Sequence, residues 1–142
     1  MARNGADVDV PIGQQCCGAL HVHAGMMDEA RVLARQNIDA FAADADTPII
    51  VTAAGCGAAI KEYGHLLRDD AAYAEKATRF SALVGDAGEF LAGLGLVGKL
   101  GSVDMTVTYQ DPCHLAHGQR VRAQPRQLLQ AIPGLRIIEM EA

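Results

Sequence analysis

Four cysteines carry most of the chemistry this chain can offer. Cys16 and Cys17 are adjacent, inside the glycine-bounded stretch Gly13-Gln14-Gln15-Cys16-Cys17-Gly18. Neighbouring cysteines seldom bond to each other without strain. Two thiolates presented from one loop instead suit a multinuclear cluster, because adjacent sulfurs can reach different iron atoms. Iron–sulfur clusters commonly take four cysteine ligands, and the chain has four. A pair of packed core thiols is the plainer alternative. Cys56 and Cys113 share another setting: each follows a strand-like run and opens a helix-like one. That places them past the carboxyl ends of strands, where open α/β sheets bind ligands. It also places them at helix N-termini, whose free amides lower a thiol pKa. Packing as small hydrophobes remains the other reading for both.

The histidines and charged residues are less specific. His21 and His23 form a close pair, and Cys113-His114-Leu115-Ala116-His117 sets two rings three residues apart on one expected helical face. Each ring could ligate zinc or hydrogen-bond a cluster sulfur, and each could equally be a surface or capping histidine. Glu62 and His65 read as a solvated face. Arg120, Arg122, Arg126 and Arg136 are the basic concentration, either solvated or a docking patch. Gly55-Cys56-Gly57 could cradle a phosphate at a helix start. It lacks both the Walker lysine pattern and the full Rossmann spacing, which argues against a nucleotide site.

These residues need elements to hold them. Val8 to Ile12, with Pro11, reads as an edge strand or an extended lead-in. Residues 26 to 42 predict an amphipathic helix, with Met27, Ala30, Ala34, Ile38 and Phe41 on its apolar face and Asp28 and Glu29 in its first turn. An aspartate-rich turn is expected over 42–47. Pro48 to Thr52 fits a buried parallel strand. A helix from about Cys56 to Arg68 turns Ala59, Ile60, Tyr63, Leu66 and Leu67 inward, with Gly64 weakening it. Further helices are expected over 71–84 and 86–94, then a glycine loop, a strand over 103–109 and a helix capped by Asp111 with Pro112 at its first position. A short helix over 125–131 and a strand from Leu135 to Met140 complete the pattern. Strands alternating with helices predict an α/β fold, a mostly parallel sheet flanked by helices.

Composition bounds the function. The chain has 142 residues, half of them hydrophobic and a fifth charged, which suits one globular core. A formal charge of -5 argues against nucleic acid as partner. No apolar run approaches the length of about 18 residues that a membrane span needs. The N-terminus leads into no apolar stretch of the secretory kind. Adjacent thiols in a chain able to build a core without staples suit a reduced compartment, so a cytoplasmic location is expected.

Gln14-Gln15-Cys16-Cys17-Gly18-Ala19-Leu20, Ala53-Ala54-Gly55-Cys56-Gly57 and Lys61-Glu62-Tyr63-Gly64-His65-Leu66-Leu67 together resemble the cysteine-rich CCG domain family. Within it the likeness is to the iron–sulfur subunits of glycolate oxidase. Val107 to Gln119, followed by Gln124 to Leu129, resembles the start of a second repeat of that family. The resemblance implies parts of two repeats: residues 1–102 the second half of a first repeat with connecting helices, and 103–142 the first half of a second. It implies that Cys16, Cys17, Cys56 and Cys113 are cofactor and metal ligands, with a 4Fe-4S type of cluster in the full subunit. It also implies an electron-transfer role. A flavoprotein subunit would oxidise glycolate or a similar 2-hydroxy acid to the 2-oxo acid, and the iron–sulfur subunit would pass the electrons towards the quinone pool, placing the complex against the inner membrane. The pattern departs at Ala59, which stands where the family has the last cysteine of Cys-x-x-Cys. The alternatives are a zinc or thiol site on the same loops, and a metal-free module that docks a redox partner.

Overall fold

The computed structural model describes residues 1–41 and 46–140. The expected aspartate-rich turn therefore lies mostly outside the described residues. The fold is mixed α/β. A 3-10 turn, Ala2–Asn4, opens the chain, followed by α1 (Ala19–His23), α2 (Met27–Phe41), β1 (Ile49–Val51), α3 (Ala54–Lys61), α4 (Tyr63–Leu66) and α5 (Ala74–Ala82). Then come β2 (Val84–Asp86), α6 (Ala87–Leu94), β3 (Met105–Thr108), a π-helical turn at His114–Gly118, α7 (Ala123–Gln130) and β4 (Leu135–Ile138). Val8 to Ile12 is the extended lead-in rather than a strand, and Ile12 is fully exposed.

Both strand pairings are parallel, but they form two separate two-stranded sheets among the described residues. In the first, Ile49 pairs with Val84 and Val51 with Asp86. In the second, Met105 pairs with Leu135 and Thr108 with Ile138. A parallel pair needs a crossover; α3 to α5 supply the first, and the π-helical turn with α7 the second. β2 replaces the end of the helix expected over 71–84. Its last residue, Asp86, caps α6 by accepting hydrogen bonds from the Gly88 amide (2.7 Å) and the Glu89 amide (3.4 Å).

The core lies beside the first sheet. Ala34 and Ile38 of α2, Ile49 of β1, Tyr63 and Leu67 at α4, Ala77 and Phe80 of α5 and Val84 of β2 form one buried cluster. Phe80 holds its aromatic part together. It stacks on Tyr63, with centroids 5.9 Å apart, and meets Phe41 edge-on at 5.8 Å.

The single helix expected over 56–68 is broken at Glu62, and a side chain from α5 breaks it. The Ser81 hydroxyl donates to the Ile60 carbonyl (3.1 Å) and accepts from the Gly64 amide (3.1 Å). Those two backbone groups would otherwise bond each other across one helical turn. An inserted hydroxyl in the i to i−4 ladder bends or divides a helix.

The helix expected to start with Asp111 as its cap is corrected as well. Asp111 faces Arg126 of α7, which donates to both its carboxylate oxygens (2.8 and 2.9 Å) and to both of Glu139 (2.8 and 2.9 Å). The guanidinium holds both carboxyls below their usual range, mainly through these hydrogen bonds. Arg126 thus ties the loop after β3 to the segment after β4. Arg136 is likewise engaged, with Asp104 (3.1 Å) and Thr106 (3.1 Å). Two of the four arginines considered as a docking patch are therefore neutralised by their neighbours.

Candidate functional site

The Cys16–Cys17 loop has no ladder of its own, so its backbone polar groups need side-chain partners. Two buried residues supply them. Asn37 of α2 accepts from the Gln15 amide (2.7 Å) and donates to the Cys16 carbonyl (3.0 Å). Tyr63 of α4 donates its phenolic hydrogen to the Cys17 carbonyl (2.9 Å). The Asn37 amide also donates to the Tyr63 oxygen (3.1 Å), closing the network. Burial pushes the Tyr63 phenol above its usual range, so it stays a donor. Gly18 then turns the chain into α1 with φ +77, a left-handed conformation that favours glycine. A Cβ there would be in ordinary contact with Ala30 of α2, whose Cα lies 3.5 Å away, so the backbone conformation rather than lack of space favours glycine.

The thiols fall into two settings. Cys16 and Cys113 are exposed, while Cys17 and Cys56 are half-buried. Cys56 lies close enough to Cys17 to act on its thiol, and Cys16, its chain neighbour, adds its charge. The Cys17 thiol is pushed up to about 11, chiefly by burial. The Ala19 amide at the start of α1 opposes this but does not outweigh it, and Cys56 adds to the rise. The structure therefore brings Cys56 near Cys17, with Cys16 next to Cys17 along the chain. Cys56 sits in α3 after β1, and Cys113 sits before the π-helical turn after β3, as the strand-to-helix reading expects. Among the described residues no three His, Cys, Asp or Glu side chains are grouped closely enough to hold a metal ion. The donor set of this chain, as folded, does not by itself fit a four-thiolate cluster.

The π-helical turn is bound to the same region. Gln119 donates its side-chain amide to the Ala54 carbonyl (2.9 Å). A Cβ on Gly57 would fall 2.7 Å from that Gln119 nitrogen. The glycine after Cys56 thus leaves room for the Gln119 side-chain amide to lie against α3. Next to Cys113, His114 meets His23 of α1 edge-on, with ring centroids 6.0 Å apart. His117 instead accepts from Arg122 through Nδ1 (3.1 Å), so the two rings of this stretch do not act together. The Nδ1 atom of His21 is buried without a partner among the described residues.

A half-open cavity of about 420 Å³ lies between α1, α2, α3 and α4, and no cysteine lines it. Ala58, Ala59 and Leu66 contribute its apolar wall, and His23, His65, His114 and Glu62 reach its edge. Arg68 donates to His65 Nε2 (2.9 Å), which places the ring proton of that histidine on Nδ1. Glu62 and His65 are exposed, as a solvated face should be.

The pKa of Cys17 gives a direct expectation for the metal-free chain. Raising a thiol from 9.0 to about 11 cuts its thiolate fraction near pH 8 about hundredfold. The higher basicity of the thiolate that remains restores about tenfold in nucleophilicity. Alkylation of Cys17 is therefore expected to run about tenfold or more slower than that of exposed Cys16, read site by site by mass spectrometry. Equal rates would show that burial does not control this thiol.

Small parallel sheets, crossover helices and thiols set where strands meet helices define a cysteine-rich α/β domain. The family model described as "Cysteine-rich domain" (CCG) matches residues 1–61 and 107–142. The chain belongs to the CCG cysteine-rich domain family. It is 41% identical over 139 residues to the probable glycolate oxidase iron-sulfur subunit of Bacillus subtilis, covering 96% of this chain and 31% of that protein. It is 40% identical over 141 residues to a subunit of the fumarate reductase (CoM/CoB) of Methanothermobacter marburgensis, covering 99% of this chain and 26% of that protein. Lactate utilization protein A of Geobacillus thermodenitrificans is 32% identical over 142 residues, 99% of this chain and 58% of that protein. The chain thus spans less than a third of the first two relatives. No solved structure matches it. No described helix is long and apolar enough to cross a membrane.

Proposed function

We propose that this chain is the cysteine-rich part of an iron–sulfur, electron-relaying subunit of a glycolate oxidase or a closely related 2-hydroxy-acid dehydrogenase. In this reading a flavoprotein subunit oxidises glycolate to the 2-oxo acid, and electrons leave towards the quinone pool at the inner membrane. Residues 1–102 are the second half of one CCG repeat and 103–142 the first half of the next. Cys16, Cys17, Cys56 and Cys113 are this chain's share of the cluster ligands.

The observation that carries the reading is the proximity of Cys56 to Cys17, close enough to act on its thiol, from segments about forty residues apart in the sequence. Packed core thiols need no such convergence at a half-open edge. The high identity to proteins named as iron–sulfur subunits supports it. Because the donors do not form a complete set in the fold, the full ligand shell needs Cys113 to close in or thiols from elsewhere in the subunit. The chain's own residues hold the thiol loop in place and partly shield Cys17 from water.

A second reading, a zinc or thiol module for docking in a related redox complex, is favoured by the approach of His114, the residue after Cys113, to His23. Anaerobic reconstitution of the subunit with iron and sulfide separates the two. Bound iron and acid-labile sulfide in comparable amounts, with a visible absorbance band, are expected. One zinc with no sulfide would replace the first reading by the second.

A further inference from the structure

We infer that Asn37 and Tyr63 are positioning residues for the Cys-Cys pair, setting where its sulfurs stand although neither is a ligand. Both side chains are almost wholly buried, 3% and 1% exposed. A polar group in such a place is costly unless it is bonded, and here the bonds run to one target. Four hydrogen bonds connect the two side chains with the Gln15 amide, the Cys16 carbonyl, the Cys17 carbonyl and each other.

The arrangement fixes consecutive peptide groups of a segment that has no strand or helix. With the carbonyls of Cys16 and Cys17 both hydrogen-bonded to buried side chains, the φ and ψ rotations of Cys17 between them are restricted. Cys17 is then kept half-buried near Cys56 and Cys16 is left exposed. The anchors are themselves rigid. Asn37 lies between the core residues Ala34 and Ile38 on α2, and Tyr63 is stacked on Phe80. The side chains of a helix and of a core aromatic therefore transmit the stiffness of the core to an irregular loop.

The consequence for cluster binding rests on Cys16 and Cys17 being ligands. The positioning itself is open to measurement in the metal-free chain. Tyr63→Phe removes the donor to the Cys17 carbonyl and keeps the ring on Phe80. Asn37→Asp keeps an acceptor for the Gln15 amide and removes the donor to Cys16. A lost hydrogen bond of ordinary strength permits about tenfold more opening of the loop. Site-resolved alkylation of the full chain is expected to show Cys17 reacting about tenfold faster in either variant. Amide exchange across Ala74–Ala82 and the alkylation of Cys113 are expected to stay at wild-type rates. Unchanged Cys17 alkylation in both variants would overturn the inference. So would a rise matched by faster exchange in Ala74–Ala82, since that marks general loosening. Reconstitution tests the other reading separately: a wild-type chain that takes up no iron removes the ligand role, while a selective Cys17 response still establishes the positioning.

Discussion

Alanine in place of Cys17 is expected to leave the chain folded and to lower the iron it retains after reconstitution by about tenfold or more. Cys17 is the central thiol of the group. It lies near Cys56 and adjoins Cys16 along the chain, so its removal leaves the outer two without a shared neighbour. Cys56→Ala is expected to match it, because it removes the other member of the pair. Both thiols are only half-buried, so the small voids left behind threaten the core little. Cys113→Ala measures something else. Its exposed thiol stands on a separate turn, and iron loss in that variant would mean that the turn closes onto the cluster. Iron analysis, sulfide analysis and the visible spectrum provide the readout, with circular dichroism to verify folding. Full iron retention in Cys17→Ala would end the thiol-ligand proposal.

Much of the scaffold can be read from residue patterns because it rests on long, local signals. The stripe of Ala30, Ala34 and Ile38 has enough turns to define α2 alone, and Asp28 and Glu29 mark its start. The run Ile49-Ile50-Val51 needs only its own β-branched residues to form β1. β2 carries no such signal. It is three residues long, contains Gly85 and follows α5 directly, so pairing with β1 makes it a strand. The break at Glu62 is also set from a distance, by the Ser81 hydroxyl of another helix. The π-helical turn replaces a helix capped by Asp111 because Arg126, fifteen residues on, claims that carboxylate.

The site divides along the same line. The cysteine motifs stand out by type and spacing, and so does the glycine after Cys17. Which thiols meet is decided by the packing of α1 and α3, information no spacing rule contains. Asn37 carries one signal: it is a polar residue next to Ile38 on the apolar face of α2. Such a residue must be either strained or bonded to something fixed, and its partners are in the cysteine loop. Gln119 offers no comparable sign, since its role appears only when the π-helical turn reaches Ala54.

Phe80→Ala is expected to destabilise the chain by about 3–5 kcal/mol. That is a large share of the roughly 5–15 kcal/mol that holds a typical domain together. Phe80 is 6% exposed and touches aromatic rings on two sides, Tyr63 and Phe41. Truncation removes buried apolar surface and both ring contacts, each of the latter contributing about 0.5–1.5 kcal/mol beyond area. Neighbours can close over the void only in part, because Tyr63 is held by its hydroxyl to the Cys17 carbonyl and cannot tilt freely. Urea unfolding measures the effect as a lowered midpoint, and Phe80→Leu, which keeps most of the volume, is expected to lose clearly less. A loss below about 1 kcal/mol in Phe80→Ala would show that the aromatic stack is not the centre of the core. The same tether gives the variant a second signature. Loosening Tyr63 from behind should free the Cys17 carbonyl, so the thiol loop is expected to become reactive at urea concentrations where the wild-type loop is still closed.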